Sequence, residues 1–513
     1  MTAATDSRVR QPAPRATSAI PLNAARLLRL ELRRNAMPWI LPLIAALFWF
    51  DSYRPSSGTA ALYGLRTFWN MGQGHTIIDF GPFVAGVAAW MGSRDGRRGL
   101  ADLVTATARP PWAAQLATWA ATAIWAVAAY LVFAGVMFAV YAHQGVGGTP
   151  PWWWVAVGAT AVAAFSAAGF AVGAYWPSRF AAPVAAFGGF LAMMLSSQTG
   201  FTSTSGWALI LPTNSNGNFQ PDSGMLYPWL PDLPIARIML LGGLAVAALG
   251  LLGLLPGAGG PRLRQAAAVV TLAGVVAAGT AVAFARTARL GPHGIAIPAL
   301  HDAANDRPIS YTPVCGHAAG LPVCLNPAYR SYLPGVTAAL APVAGEVAGL
   351  PGAPVRATQI GAVYDPGEGG AGQAMTISGD PPVLRMPLGA LGLAGAFGWT
   401  GGEVADQYRL LFVHAFTGAG NGPGTAAQRA VQAALLQDTG VPIATQPKVL
   451  SSVGLPSWAR VTGGPQPGPE PATGPVYAAA RRFAALPRAT QHGWLTAHLG
   501  ALRSGHISLG QLP

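Results

Sequence analysis

Over its first 285 residues the chain alternates long apolar runs with short basic breaks, and then its character changes. The apolar runs cover residues 37–53, 76–91, 113–141, 155–176, 182–196, 235–255 and 265–285. Each is nearly free of charge and reads as a membrane helix, the run at 76–91 only barely long enough. Ahead of them, residues 22–35 mix Leu27, Leu28, Leu30 and Leu32 with Arg26, Arg29, Glu31, Arg33 and Arg34. That pattern predicts a basic amphipathic helix at a membrane interface, or more simply the charged flank of the next helix. Residues 1–21 are polar and carry proline, as a disordered tail does, and lack the apolar core and cleavage site of a removable signal peptide.

The breaks set the orientation. Between the second and third runs lies a charged hairpin, residues 92–112, with Arg94, Arg97, Arg98 and Arg109. Placing it in the cytoplasm also puts Arg8, Arg10, Arg15, Arg26, Arg29, Arg33, Arg34, Arg179, Arg262 and Arg264 inside. Only Arg54, Arg66 and Arg237 of this half then lie outside, the asymmetry expected of cytoplasmic loops. Seven spans from a cytoplasmic amino terminus send the rest of the chain out. The long stretch 197–234, still carrying Trp207 and Trp229, predicts short helices on or in the outer leaflet. Asp79, with His75 one turn before it, sits near the outer start of the second span. Intramembrane carboxylates often line pathways, so His75, Asp79, Trp207 and Trp229 are the candidate pathway or outer-gate residues, pairing of Asp79 with Arg54 or Arg66 being the plainer reading.

From residue 286 the pattern is that of an ordinary soluble domain, long enough for its own core. Period-two runs predict strands at 309–314, 323–325, 357–364 and 373–377, and helical periodicity appears at 336–350, 404–416, 425–437, 476–486 and 489–503. A glycine- and proline-rich loop is expected at 463–474. The expected fold class is therefore an α-helical polytopic membrane bundle of about seven helices followed by a mixed α/β extracytoplasmic domain. Its parts would be an interfacial helix at 22–35, a six-helix core at 36–256, a seventh helix at 257–285 and the outer domain at 286–513.

Composition agrees. Charged residues make up only 10% of the 513, and the mean hydropathy is positive, which soluble chains rarely combine. Lys448 is the only lysine, and Ala, Gly and Pro are heavily used, as in a GC-rich bacterial genome. The net charge of +13 does not indicate nucleic acid, because the arginines are not gathered into a groove with interleaved aromatics. It points to membrane lipid as a partner. Cys315 and Cys324, with Gly316, Gly320 and Pro322 between them, are near enough for a turn to bring into a disulfide, the state expected outside the cytoplasm. Reduced cytosolic thiols are the alternative, and no second ligand pair accompanies them to form a metal site.

Catalytic signatures are missing from the sequence: it has no phosphate-binding loop, no H-E-x-x-H and no G-x-S-x-G. His293, His301, His317, His414, His492, His498 and His506 are scattered in the outer domain and read as structural. With no catalytic motif, the chain is expected not to be an enzyme.

The order of a basic interfacial helix, a first span, and a second span ending in an Arg/Asp-rich turn before a short helix and a proline resembles the permease subunit of type-2 ATP-binding-cassette exporters. The residues carrying the likeness are Arg94, Asp95, Arg97, Arg98, Gly99, Leu100, Ala101, Asp102, Leu103 and Pro110. Stretch 197–234 resembles that family's loop of short outer helices. The likeness covers roughly residues 22–255; a seventh helix and a large outer domain depart from it. The resemblance implies an ATPase-coupling turn at Arg94, Asp95, Arg97, Arg98, Leu100, Asp102 and Leu103. It also implies two cytoplasmic ATPase subunits that bind ATP and Mg in trans, and a second permease copy or sister permease. A membrane-anchored receptor or assembly factor, whose outer domain binds a ligand or partner, is the alternative from another class.

Overall fold

The computed structural model describes residues 20–53, 80–99, 110–143, 149–202, 206–211, 224–291, 294–361, 363–365, 370–372, 375–387, 401–418, 424–444, 446 and 474–513. In the first half these form helices α1 (Ile20–Arg34), α2 (Met37–Tyr53), α3 (Phe80–Gly92), α4 (Arg94–Arg97) and α5 (Pro111–His143). They continue with α6 (Trp152–Tyr175), α7 (Ala181–Thr202), α8 (Gly206–Leu209), α9 (Asp232–Leu252) and α10 (Pro261–Arg286). Each apolar run of the sequence is largely helical over its described residues. Four of them, in α5, α6, α9 and α10, are long and apolar enough to cross a membrane, whereas Met37–Leu47, Phe80–Gly92 and Ala181–Ser196 are shorter. Helix α5 begins on Pro111 and α10 on Pro261, at the first helical position, where a missing N–H costs nothing.

Small residues let these helices touch backbone to backbone. A Cβ placed on Gly169 or Gly173 of α6 would collide with the carbonyl groups of Ala85 and Ala89 on α3. Gly243 and Gly274 play the same part where α9 packs on α10, and one at Gly158 would strike the Tyr130 ring of α5. Between apolar helices, close approach replaces the hydrophobic drive that water would supply. Side-chain donors reach the last-turn carbonyls of α9: Trp112 Nε1 donates to Leu249 O at 3.0 Å and Tyr175 Oη to Leu251 O at 2.6 Å. The ends of α5, α6 and α9 are thereby fixed at one level, the end of the bundle that also holds α4.

The second half opens with a hairpin of β1 (Arg289–Gly291) and β2 (Gly294–Ala296). It then builds a five-stranded sheet from β3 (Val314–Ala318), β4 (Leu321–Leu325), β5 (Arg356–Ile360), β8 (Thr376–Ser378) and β9 (Val383–Pro387), in the order β3-β4-β5-β9-β8. The two inner pairings are parallel and the two outer ones antiparallel. A separate pair, β6 (Val363–Asp365) and β7 (Gly370–Gly372), stands apart. Helix α11 (Leu333–Val347) joins β4 to β5 and packs on β3 and β4. Helices α12 (Gly401–Thr417), α13 (Ala426–Asp438), α14 (Pro475–Ala484) and α15 (Arg488–Arg503) complete a core of Val323, Leu340, Leu384, Phe412, Leu435 and Phe483, among others. Thr425 and Gln428 close the start of α13 reciprocally as a capping box.

The expected mixture of helix and strand is present, with differences of physical origin. Residues 309–313 are not a strand, because Pro313 lacks a ladder donor and the Ile309 amide is taken by Leu226 O at 2.8 Å. Stretch 357–364 divides between β5 and β6, and α11 starts three residues before the expected 336 because Leu333 and Pro334 belong to its first turn. Strand β9 and the β1–β2 hairpin were not apparent from periodicity. The former is a five-residue strand set between Pro381–Pro382 and its own last residue, Pro387. Cys315 and Cys324 face each other across β3 and β4 and form the expected disulfide. The loop expected at 463–474 lies outside the described residues, apart from Gly474.

Because α3 and α6 meet through their backbones, Gly173→Ala is expected to lower the stability of the purified protein by about 1–3 kcal/mol. Gly188→Ala should not, since a Cβ there meets nothing within 4 Å. Thermal unfolding of the two variants in the same detergent measures the difference.

Candidate functional site

The elbow after α3 is the best-defined polar constellation in the helical half. Ser93 is fully buried and donates to Trp90 O at 3.1 Å, while Arg97 Nε donates back to the Ser93 hydroxyl at 3.0 Å. Arg97 also reaches Trp90 O at 3.0 Å and lies 3.5 Å above the centre of the Trp90 ring. A cation over an indole face is attracted by the ring quadrupole, so Arg97 is spent on holding the elbow's shape. Gly96 admits the neighbouring turn: a Cβ there would stand 2.5 Å from Pro177 Cβ. Gly99 adopts φ +64°, open to glycine, directly after the helical turn.

Arg94 makes the long-range tie. Its Nη1 and Nη2 donate to Glu31 Oε2 and Oε1 at 3.0 and 3.1 Å, and its Nε to Asp95 Oδ1 at 3.2 Å. Burial would lower its proton affinity, but Glu31 and Asp95 together outweigh burial and hold the guanidinium above its ordinary pKa. Glu31 is only 7% exposed. The forked geometry therefore links α1 to the elbow over 63 residues of sequence. Next to it, Asn35 starts α2 by accepting from Met37 N at 2.9 Å and donates to Thr122 Oγ1 of α5 at 2.8 Å. Trp125 Nε1 closes Leu32 O of α1 at 3.0 Å. So α1, α3, α5 and the turn after α6 converge on one corner, at which Arg98 is exposed and Asp95, held by Arg94, is half exposed.

Of the expected coupling residues, Arg94, Asp95, Arg97 and Arg98 are thus brought together, whereas Leu100, Asp102 and Leu103 lie outside the described residues. So do His75 and Asp79. Trp207 belongs to the short helix α8. Trp229 is 9% exposed and donates to Thr149 O at 2.8 Å, beside Gly224, whose φ of +79° and contact with the indole exclude a side chain. That places Trp229 as a clasp between two connecting segments. Among the described residues no group of three or more His, Cys, Asp or Glu side chains could hold a metal ion.

A second buried-charge cluster lies at the other end of the bundle. Asp232, fully buried in the first turn of α9, accepts from Ile297 N at 2.8 Å and pairs with His301 Nδ1 at 3.0 Å. His301 Nε2 meets Asp306 Oδ2 at 3.1 Å. Facing carboxylates on both ring nitrogens, the imidazole is best served by two N–H groups. Asp306 foremost, then Asp232, accordingly raises its pKa against the effect of burial. Arg237, expected on the outside, is 1% exposed: its Nε and Nη2 donate to Leu209 O at 3.1 and 2.8 Å and it lies 5.0 Å above Trp154. The position of Arg237 at an apolar boundary gave no warning of this, since a partner 28 residues earlier has no sequence signature. Glu31 did carry a signal, as the single acid among the arginines of α1.

No family model, curated protein or solved structure matches this chain.

Two outcomes are expected. Arg94→Ala, which strands the shielded Glu31 carboxylate, should cost about 3 kcal/mol of stability, with Glu31→Gln milder. Unfolding monitored by intrinsic tryptophan fluorescence in detergent checks this. The His301 contribution follows its raised pKa. It is fully present below the ordinary imidazole value of 6.5 and is lost as pH rises through the higher folded value. Wild-type stability should therefore fall on that alkaline limb by on the order of 1–2 kcal/mol, and His301→Gln should remove the fall.

Proposed function

We propose that the chain is the membrane-spanning permease subunit of an ATP-driven exporter, working as a pair with itself or a sister permease on two cytoplasmic ATPase subunits that bind ATP and Mg. In this reading α2, α3 and α7 cross the membrane together with the four longer helices, making about seven spans. The elbow and the amino terminus face the cytoplasm, and the sheet-bearing half lies outside. The arginine distribution supports that orientation, and a disulfide in the second half suits an oxidising compartment.

The observation that carries the proposal is the construction of the elbow. A lever must be stiff and must be attached to what it moves. Arg94 bonded to Glu31, Arg97 folded on Trp90 and Gly96 seated on Pro177 make it both. Arg98 remains exposed to meet a partner, with the half-exposed Asp95 beside it, and complementary charge sets docking and register. Closure of the ATPases on ATP would push this corner, tilt α3 against α6, and open and close a path between two bundles in turn. This chain contributes no chemistry of its own to hydrolysis.

Affinity purification of the full-length chain from its native membranes tests this directly. A nucleotide-binding ATPase should co-purify in comparable amount, and Arg98→Glu should reduce its recovery about tenfold while leaving insertion and the melting temperature unchanged. Recovery of the wild-type chain free of any ATPase, in stable form with a ligand on its sheet-bearing half, would favour a receptor instead.

A further inference from the structure

Charge on α1 is segregated more sharply than its sequence suggests. The helix holds four arginines and one acid, and the acid, Glu31, is turned into the bundle and neutralised by Arg94. Arg26, Arg29, Arg33 and Arg34 are all exposed; the first three follow at three and four residues and share one face, and Arg34, four residues after Leu30, flanks it. None of the four has an ion-pair or hydrogen-bond partner among the described residues. Leu30, 44% exposed, lies within the same stripe. Two residues after α1 the chain enters the apolar α2, whose first turn carries Trp39 at 88% exposure.

We infer that this face of α1 is a binding surface for anionic lipid headgroups, which the four guanidinium groups engage together. Complementary charge points to an anionic partner, and the surroundings specify which. An exposed leucine and a nearly bare tryptophan beside arginines are unfavourable against water or an acidic protein groove, but fit the boundary between headgroups and acyl chains. Arginine stems lie along such a boundary while their heads reach the phosphates, where planar N–H pairs match phosphate oxygens. Because Leu27, Leu28 and Leu32 face the bundle and Trp125 holds the Leu32 carbonyl, the helix presents this face in a fixed attitude. The Glu31–Arg94 pair connects the same helix to the elbow, so lipid charge would bear on elbow position. The surface itself does not depend on the exporter reading.

The test uses the full-length protein in phosphatidylcholine bilayers containing trace spin-labelled phosphatidylglycerol or phosphatidylcholine, and reads the motionally restricted fraction of each label. Wild type should prefer phosphatidylglycerol by roughly threefold or more, and the preference should shrink in molar salt. R26Q/R29Q/R33Q/R34Q should bring the ratio to near one, the fourfold Arg→Lys variant should keep it, and R262Q/R264Q should keep it as well. The half variants R26Q/R29Q and R33Q/R34Q, each expected to lose part of the preference, serve if the fourfold glutamine variant does not insert. An absent preference in wild type, an unchanged ratio in the glutamine variants, or a ratio abolished only by R262Q/R264Q would each overturn the assignment.

Discussion

A charge taken out of water must be met by a partner, and for Glu31, Asp232 and Arg237 the partners lie far away in sequence. Glu31 is met by Arg94, Asp232 by His301 and the Ile297 amide, and Arg237 by the Leu209 carbonyl. Such groups cost several kcal/mol each to desolvate alone, so each one confines two distant segments to a single arrangement. The apolar faces around them set no such condition. Leucine, valine and alanine faces tolerate sliding, and the polar pairs remove that freedom at both ends of the bundle.

The two ends differ in what the confinement achieves. At the elbow, α1, α3, α5 and the turn after α6 become one corner, with Arg98 exposed on it. At the opposite end the confinement runs inward: Asp232 and Arg237 tie the start of α9 to the segment after β2 and to the short helix α8. In the proposed reading, motion enters at the elbow and is constrained at the far end.

Much of this was legible in the amino-acid pattern, and the remainder was not, for a definite reason. Residues 37–53 gave α2 to the residue, and the mixed Leu/Arg stretch gave α1, because helix periodicity and hydropathy are local properties. The periodicity over residues 425–437 located α13 for the same reason. Arg97 could be read as basic but not as stacked on Trp90, and Arg237 could be read as flanking a helix but not as enclosed. Side-chain direction depends on which helix lies alongside, and the glycines at 169 and 173 that decide it look in sequence like any other small residues. Of the strand expected at 309–314 only Val314 belongs to one, because Pro313 lacks a donor and the Ile309 amide is bound to Leu226 O.

Met225 belongs to the core of the sheet-bearing half, its carbonyl held by Asn326 Nδ2 at 3.2 Å, and Leu226 O accepts from Ile309 N at 2.8 Å. That half is thus completed by a stretch of chain that precedes α9 and α10, the two helices that separate it from the rest in sequence. A fragment cut at residue 286 would carry a methionine-shaped vacancy and an unsealed edge. The core of that half is discontinuous in sequence, with the α9–α10 hairpin inserted between its two parts. With chain entering it before α9 and again after α10, and with Asp232 fastened beneath, it has no single stalk about which to swivel.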